Sequence, residues 1–412
     1  MAEFYNASDK ITMKVLFVDW WYSPMKELAS RVGDLGTESA FEVLARAKEI
    51  ESTGKKVLHL EIGEPDFPTP PHIVDAAIRA LHDGYTHYVP APGLIQTRQA
   101  VAEFYLEKRG ISVDPSAVVI TPGAKPIMFF TMLALCDPGD EVIYPDPGFP
   151  MYESIARLVG AKPVPIPLRE HLSFRIDIDE LKSLVSPKTK LVILNSPHNP
   201  TGSILTKEEL KEIARLANEY DFYILSDEVY WAISYSTQKV PSMLEFDEAR
   251  QKTILLDGWS KAFAMTGWRL GFGIFPSRLV EPITRLVINS VSCTSAFSQI
   301  AGIAALKGPW SAVEEMVETF ATRRKVIVEG LNNIPDISCV MPDGAFYVFP
   351  NVTGTGIDSV TLQKKLLDEF GVACLSGTAF GKYGQGYLRL SYAASLQTIE
   401  EALCLIEKAV KK

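Results

Sequence analysis

Hydrophobic positions fall into two rhythms along this chain. Six short runs are apolar almost throughout: AVVIT (117–121), DEVIYP (140–145), KLVILNS (190–196), FYILSDE (222–228), TILLDG (253–258) and RLGFGIF (269–275). Continuous apolar runs of this length predict parallel strands covered on both faces. Amphipathic helical runs lie between them. TKEELKEIARLANEY opens with Thr206, and Glu209 follows three residues later in the pattern of a capping box. KPIMFFTMLALCDPGD ends on a Pro-Gly breaker. Strands alternating with helices predict an α/β domain, its mostly parallel sheet sandwiched by helices.

After Pro309 the rhythm changes. SAVEEMVETFATRRKVIVEGLNNI predicts one long amphipathic helix. AFYVFPNV, TLQKKLLDEFGVACLSG, GYLRLSYA and a closing helix QTIEEALCLIEKAVKK suggest an α+β segment. TESAFEVLARAKEIESTG (37–54) also reads as a helix and goes with this part. The expected division is a small α+β domain from 25–70 and 310–412, drawn from both ends of the chain, and a large α/β domain from 71–309. Residues 1–24 stand apart. Their apolar run, Val15 to Val18, is cut off by Asp19 and is too short for a signal-peptide core. The stretch reads as a poorly ordered extension, or as sequence upstream of a start at Met25.

Composition narrows the classes. A formal net charge of −9 and a pI near 5.4 argue against non-specific binding to nucleic acid or anionic membranes. No apolar run approaches 18 residues, so no membrane span is expected. The five cysteines, Cys136, Cys293, Cys339, Cys374 and Cys404, lie far apart without a C-x-x-C. Free thiols in a reducing compartment, and hence a cytoplasmic location, are expected. The six histidines show neither H-x-x-x-H nor H-E-x-x-H, so no metal site is expected.

Parallel α/β sheets bind ligands at the carboxyl ends of their strands. There the chain offers Gly123, Ala124 and Lys125, then Phe149, Asn199, Asp227 with Tyr230, and Ser260 with Lys261. The turn TPGAKP suits an anion, because backbone N–H groups and a helix dipole converge there, although taken alone it reads first as a plain structural turn, since glycine turns before helices are common. Asp227 is either a helix cap or a carboxylate that holds a protonated ring nitrogen. Within LLDGWSKAFAMTGWRLGFGIF (255–275) only Asp257, Lys261 and Arg269 carry full charge. Lys261 is either a structural ion-pair partner or a desolvated amine ready for Schiff-base chemistry. Arg269 is either an ordinary ion-pair partner or the counter-charge to a phosphate. A phosphate cradle, a ring-nitrogen acid and a Schiff-base lysine together are what pyridoxal phosphate demands.

GWSKAFAMTGWRLG resembles the lysine motif of the class I/II aminotransferases, the aspartate aminotransferase-like members of fold type I pyridoxal phosphate enzymes. NSPHNPTG resembles the family's asparagine loop and SDEVY its Asp-x-x-Tyr pair. GEPDFPTP and GYLRLSYA resemble its N-terminal substrate loop and its carboxylate arginine, and the order agrees from about Leu28 onward. The resemblance implies that Lys261 bonds the cofactor and carries the proton between Cα and C4′. It implies that Asp227 keeps the pyridine nitrogen protonated, and that Tyr230 and Asn199 bond the phenolic oxygen. Gly123, Ala124, Lys125 and Arg269 would surround the phosphate, and Phe149 would stack on the ring. Arg389, with Asn199 and the backbone at Gly63, would take the substrate α-carboxylate. Tyr88, in THYVPAPG, would reach the phosphate of a partner subunit, which implies a homodimer. Two departures stand out. Phe149 replaces the tryptophan or tyrosine of many relatives. Gly258 stands where many have serine, so one phosphate hydrogen bond is either missing or supplied by Ser260.

The implied activity is amino-group transfer between an L-amino acid, aspartate-like first, and a 2-oxo acid such as 2-oxoglutarate. Alanine and aromatic donors, and a β-lyase reaction on the same scaffold, share these motifs. A transcription regulator with an aminotransferase-like sensor domain needs a DNA-binding domain, and the 24 residues before Met25 are too few for one.

Overall fold

Twelve strands form among the described residues of the computed structural model, which are 29–33, 35–36, 38–236 and 238–411. The first, β1 (Leu58–His59), is two residues long. Seven strands then build the main sheet: β2 (Val118–Thr121), β3 (Glu141–Asp146), β4 (Lys162–Pro167), β5 (Thr189–Asn195), β6 (Tyr223–Asp227), β7 (Thr253–Gly258) and β8 (Gly271–Ile274). Their order is β2-β8-β7-β6-β5-β3-β4. All pairs from β7 to β4 are parallel, and β8 runs antiparallel to both β2 and β7.

Side chains alternate across the sheet, and both faces are covered. From β5, Leu191 and Ile193 join a cluster with Ile127, Met128, Tyr152 and Ile283, from the helices Lys125–Leu135, Met151–Leu158 and Ser277–Val291. Val192 and Leu194 join another with Leu210, Ile213 and Leu216 of the helix Lys207–Tyr220. A strand with a period of two and apolar residues in both registers must be sandwiched in this way. The helix Lys207–Tyr220 carries the capping box read from its sequence. Thr206 Oγ1 accepts from the Glu209 N–H at 3.1 Å, and the Glu209 carboxylate accepts from the Thr206 N–H at 2.7 Å. Such a cap stabilises a helix by about 1 kcal/mol.

Two strands depart from the sequence reading. β4 has the sequence KPVPIP, with proline at every second position, and periodicity passed it over. It pairs only with β3 at the sheet edge, where a missing N–H donor leaves no ladder partner unsatisfied. The run at 269–275 is shorter than expected. Arg269 takes a left-handed φ of 51° at the end of the turn Thr266–Trp268, so pairing begins only at Gly271.

The remaining strands are β9 (Tyr347–Val348), β10 (Val372–Ala373), β11 (Leu375–Ser376) and β12 (Leu388–Ser391). β10 pairs in parallel with β1 and so ties the beginning of the chain to its end. β11, β12 and β9 form an antiparallel sheet of three. The helices expected near both ends are present as Ser39–Ser52, Ser311–Asn333 and Leu396–Val410. The extension expected at 1–24 lies outside the described residues. Among the described residues no helix is long and apolar enough to cross a membrane, and no group of His, Cys, Asp and Glu could hold a metal ion.

Candidate active site

The carboxyl ends of β5, β6 and β7 open into a cleft of about 590 Å³, closed on its far side by Gly63, Tyr347, Phe380 and Arg389. Asn195 and Asp227 are ladder partners at the last position of β5 and β6, so the sheet itself sets them side by side. Asn195 donates to the Asp227 carbonyl at 3.0 Å and accepts from the Asn199 N–H at 2.8 Å. One amide therefore ties the Asp227 strand to the loop that carries Asn199. Asn199 is buried, and its Oδ1 has no hydrogen-bond partner. An unmatched buried acceptor is costly, which marks it as a group waiting for a donor.

Asp227 follows four apolar or small residues of β6 into the cleft. Its Oδ2 accepts from the Tyr152 hydroxyl at 2.7 Å and its Oδ1 from the Val229 N–H at 3.3 Å. No helix follows it directly, so the capping role does not apply. Burial pushes its carboxyl up to about 6, and these two donors pull the other way.

Lys261 comes three residues after β7. Trp259, fully buried, fixes this turn by donating from its indole to the Gly302 carbonyl at 3.0 Å. Lys261 Nζ donates to the Gly63 carbonyl at 2.5 Å and lies 5.7 Å and 5.8 Å from the Tyr230 and Phe346 ring centres. By area the residue is half-buried, open only where it lines the cleft. Loss of water around the ammonium lowers its pKa to about 8. Behind the cleft a buried polar cluster anchors both turns. Asp257 accepts from Tyr105, Trp231 and the Gly258 N–H, while Glu228 forms an ion pair with Arg109 at 2.6 Å.

Gly123 has a φ of 89°, and a Cβ there would overlap the Arg269 guanidinium. Only glycine lets this turn run against the arginine. Ala124 caps the helix Lys125–Leu135, whose N-terminus follows directly on Gly123 and so lies near the exposed Arg269 guanidinium. Ser260 lines the same wall. A Cβ on Gly258 would lie 3.1 Å from both Gly271 Cα and the Leu270 carbonyl, so a serine there would press on the backbone at the start of β8.

Arg389 projects from β12 and is buried. Its guanidinium is sandwiched between Tyr347 at 4.6 Å and Phe380 at 5.2 Å, and it donates to the Glu61 carbonyl. It has no carboxylate partner among the described residues, and its Nε is unpaired. Burial pulls its pKa down. Tyr230 is bonded through its hydroxyl to that of Tyr347 at 2.7 Å. Phe149 is half-buried on the cleft wall, edge-on to Tyr152. Lys125 pairs with Glu38 at the mouth.

The structure thus brings Gly63, Ala124, Lys125, Phe149, Asn199, Asp227, Tyr230, Ser260, Lys261, Arg269 and Arg389 to one cleft, with Gly123 immediately behind Arg269. It does not bring Tyr88 there; that residue is 89% exposed on its own chain. Sequence reasoning missed Asn195, Tyr152, Tyr347 and Glu38. The strand-end rule could have found Asn195. Nothing local marks the other three.

A family model described as aminotransferase class I and II matches residues 55–406. An aspartate aminotransferase of Pyrococcus horikoshii is 44% identical over 93% of this chain and 97% of its own length. An aromatic-amino-acid aminotransferase 2 of Thermococcus litoralis is 41% identical over 86% of this chain and 92% of its own. The solved structure of aspartate aminotransferase from Thermus thermophilus with maleate superposes with a TM-score of 0.89 at 35% identity, covering 93% of this chain and all of that one. The architecture is accordingly fold type I. Enzymes of this kind work with pyridoxal 5′-phosphate, and the cleft fits that group. It offers an ionisable acid at its base, an aromatic wall, a recessed amine, and a helix N-terminus near a guanidinium that has no carboxylate partner among the described residues.

Proposed function

We propose that this chain, which belongs to the class I and II aminotransferases, moves an amino group between an aspartate-like L-amino acid and a 2-oxo acid such as 2-oxoglutarate in a ping-pong cycle. The observation that carries the reading is Arg389: a buried guanidinium without a carboxylate partner among the described residues, facing the same cleft as Lys261 and Asp227.

Bound pyridoxal phosphate supplies the electron sink that makes the Cα proton of an amino acid acidic. The chain's own residues do the rest. Asp227 holds the proton on the ring nitrogen by a charge-assisted hydrogen bond. Tyr230 and Asn199 bond the phenolic oxygen. The Gly123–Ala124–Lys125 turn, Ser260 and Arg269 hold the phosphate, and Phe149 covers one ring face. Arg389 grips the substrate α-carboxylate with its planar fork, helped by Asn199 and the backbone at Gly63. Lys261 Nζ, with its pKa lowered to about 8, moves the proton between substrate Cα and C4′. The roles of Lys261, Asp227 and Tyr230 are the catalytic ones.

The substrate side chain meets a wall of two kinds. Lys261, Arg269 and Arg389 have the tasks above, and the turn serves the phosphate through its backbone, so among the described residues the Lys125 ammonium is the remaining cleft cation for a distal carboxylate. It now pairs with Glu38 at an exposed position, where an ion pair is weak and exchange costs little. Phe41, Ile62 and Phe380 on the same cleft favour a second reading, an aromatic donor. A panel of amino donors against 2-oxoglutarate, run on wild type and Lys125→Ala, tests the choice. The dicarboxylate reading expects aspartate to lead, and the variant to lose aspartate and keep phenylalanine. Phenylalanine leading in both proteins would sink it.

The sheets support two working bodies, 25–70 with 310–412 and 71–309, with the cleft between them. The exposed Tyr88 supports a homodimer with shared sites, and five unpaired cysteines fit a cytoplasmic setting.

A further inference from the structure

Arg389 and Tyr347 stand on neighbouring strands. β12 pairs with β9 so that Ser391 faces Tyr347 and Leu390 faces Val348. Arg389 lies two residues before Ser391, which makes it a diagonal neighbour of Tyr347 on the same face. That placement puts the guanidinium over the Tyr347 ring at 4.6 Å. At its other end the Tyr347 hydroxyl is 2.7 Å from that of Tyr230. Both tyrosines are buried, and Tyr347 is packed so tightly on Gly63 that a Cβ there would overlap its hydroxyl. The other ionisable groups that face the two phenols are Asp227, Glu38 and Lys261.

One proton lies between the two phenols, and its direction matters. Each phenol has a single proton to give. If Tyr230 donates to Tyr347, it has none left for a ligand in the cleft. If Tyr347 donates to Tyr230, the Tyr230 proton is free to point into the cleft, and the two bonds in series polarise each other. A cation over the Tyr347 ring draws electron density from it and makes it the stronger donor, which favours the second arrangement. When a carboxylate neutralises Arg389, that pull weakens, and so does the hydrogen bond Tyr230 offers.

We infer that Tyr347 is a positioning residue that relays the charge state of Arg389 to Tyr230, and through Tyr230 to the phenolic oxygen of the cofactor. The inference rests on the roles proposed above for Arg389 and Tyr230. It gives carboxylate binding a direct route to the acid–base state of the cofactor, before any bond to the substrate changes.

The test is optical. The visible absorbance of the cofactor-loaded protein is titrated with pH, with and without an unreactive carboxylate, maleate or 3-phenylpropionate. In wild type the carboxylate should raise the midpoint by about one pH unit, the size of an ordinary coupling between sites. Tyr347→Phe keeps the ring and removes the donor. Its midpoint without carboxylate should already lie above wild type, and the carboxylate-induced shift should fall to less than half. Tyr392→Phe is the control. It deletes another buried phenol, bonded to Tyr235 and the Ala345 carbonyl, and should titrate as wild type does. A wild-type protein that ignores the carboxylate would overturn the Arg389 role itself. A normal wild-type shift that survives undiminished in Tyr347→Phe would overturn the relay alone. Equal effects in both variants would reduce Tyr347 to general packing and overturn it too.

Discussion

Tyr152 gives its phenolic proton to Asp227 Oδ2 across 2.7 Å, although 75 residues of chain separate them. Burial works against the charge on Asp227, and this bond works for it. The carboxyl is therefore held near its ionisation point, at about 6, and a cation on its cleft side tips it to the charged form.

Asp227→Asn should keep the cofactor and lose α-proton exchange. The amide still bonds but no longer balances a positive ring nitrogen. Breaking a buried charge pair costs about 3–5 kcal/mol, so the exchange rate should fall by about two to four orders of magnitude. Deuterium wash-in at Cα of the donor measures it. An unchanged rate would make Asp227 a structural residue.

Tyr152→Phe should act in the same direction but more gently. Losing a hydrogen bond to a charged group is worth about 1.5–3 kcal/mol. The donor lowers the Asp227 pKa, so its removal raises it. Activity that depends on the carboxylate is present above that pKa and lost as pH falls through it. The acid limb of the kcat/KM profile should therefore move to higher pH. A limb that stays in place would show that Tyr152 does not act through Asp227.

The main sheet was largely legible in the sequence, because β2, β3 and β5 to β8 bury both faces and show as unbroken apolar runs. β4 was not, since its prolines are tolerated only by an edge position that nothing local announces. β1 and β9 to β11, at two residues each, are too short for any period to register. The same contrast holds in the cleft. Lys261 stands out as a charge in an apolar stretch and Asp227 at the end of an apolar strand, whereas Arg389 is legible only through the family resemblance of GYLRLSYA. Tyr347 is one aromatic in an apolar strand, and its link to Tyr230 spans 117 residues. Such a contact exists only once the small antiparallel sheet has docked.

Lys261 carries a pH signature of its own. Its amine is a nucleophile only when unprotonated, and burial places that change at about pH 8. Cofactor uptake by the cofactor-free protein should therefore rise about tenfold per pH unit well below that value and level off above it. Stopped-flow absorbance after mixing would follow it. A plateau reached only above pH 10 would mean that the ammonium is solvated as in a free lysine.

Arg389→Lys keeps the charge and removes the fork. It should raise KM by about ten- to a hundredfold for every amino and oxo acid, the equivalent of a hydrogen bond to a charged group, about 1.5–3 kcal/mol. Steady-state kinetics with aspartate, alanine and phenylalanine compare side chains of three kinds. A defect confined to aspartate would put Arg389 at the distal end of the substrate instead.

Tyr88 supplies the last prediction. Its ring is 89% exposed on a single chain, within a turn that holds Pro90 and Gly93 and leads into the helix Ile95–Arg109. If its hydroxyl completes the phosphate site of a partner, each subunit lends the same patch to the other about a two-fold axis. Mixing two defective variants separates this from a role within its own chain. Tyr88→Phe subunits keep Lys261, and Lys261→Ala subunits keep Tyr88. With the tyrosine acting across the interface, a mixed dimer holds one intact site and one that lacks both groups. Random exchange at equal amounts makes half of the dimers mixed, so about a quarter of all sites are restored. Activity should climb above the sum of the parents to about that fraction of wild type. If Tyr88 acts within its own chain, every site in the mixture keeps a defect and no gain appears. A protein that sediments as a monomer at assay concentration would remove the proposal before any mixing is done.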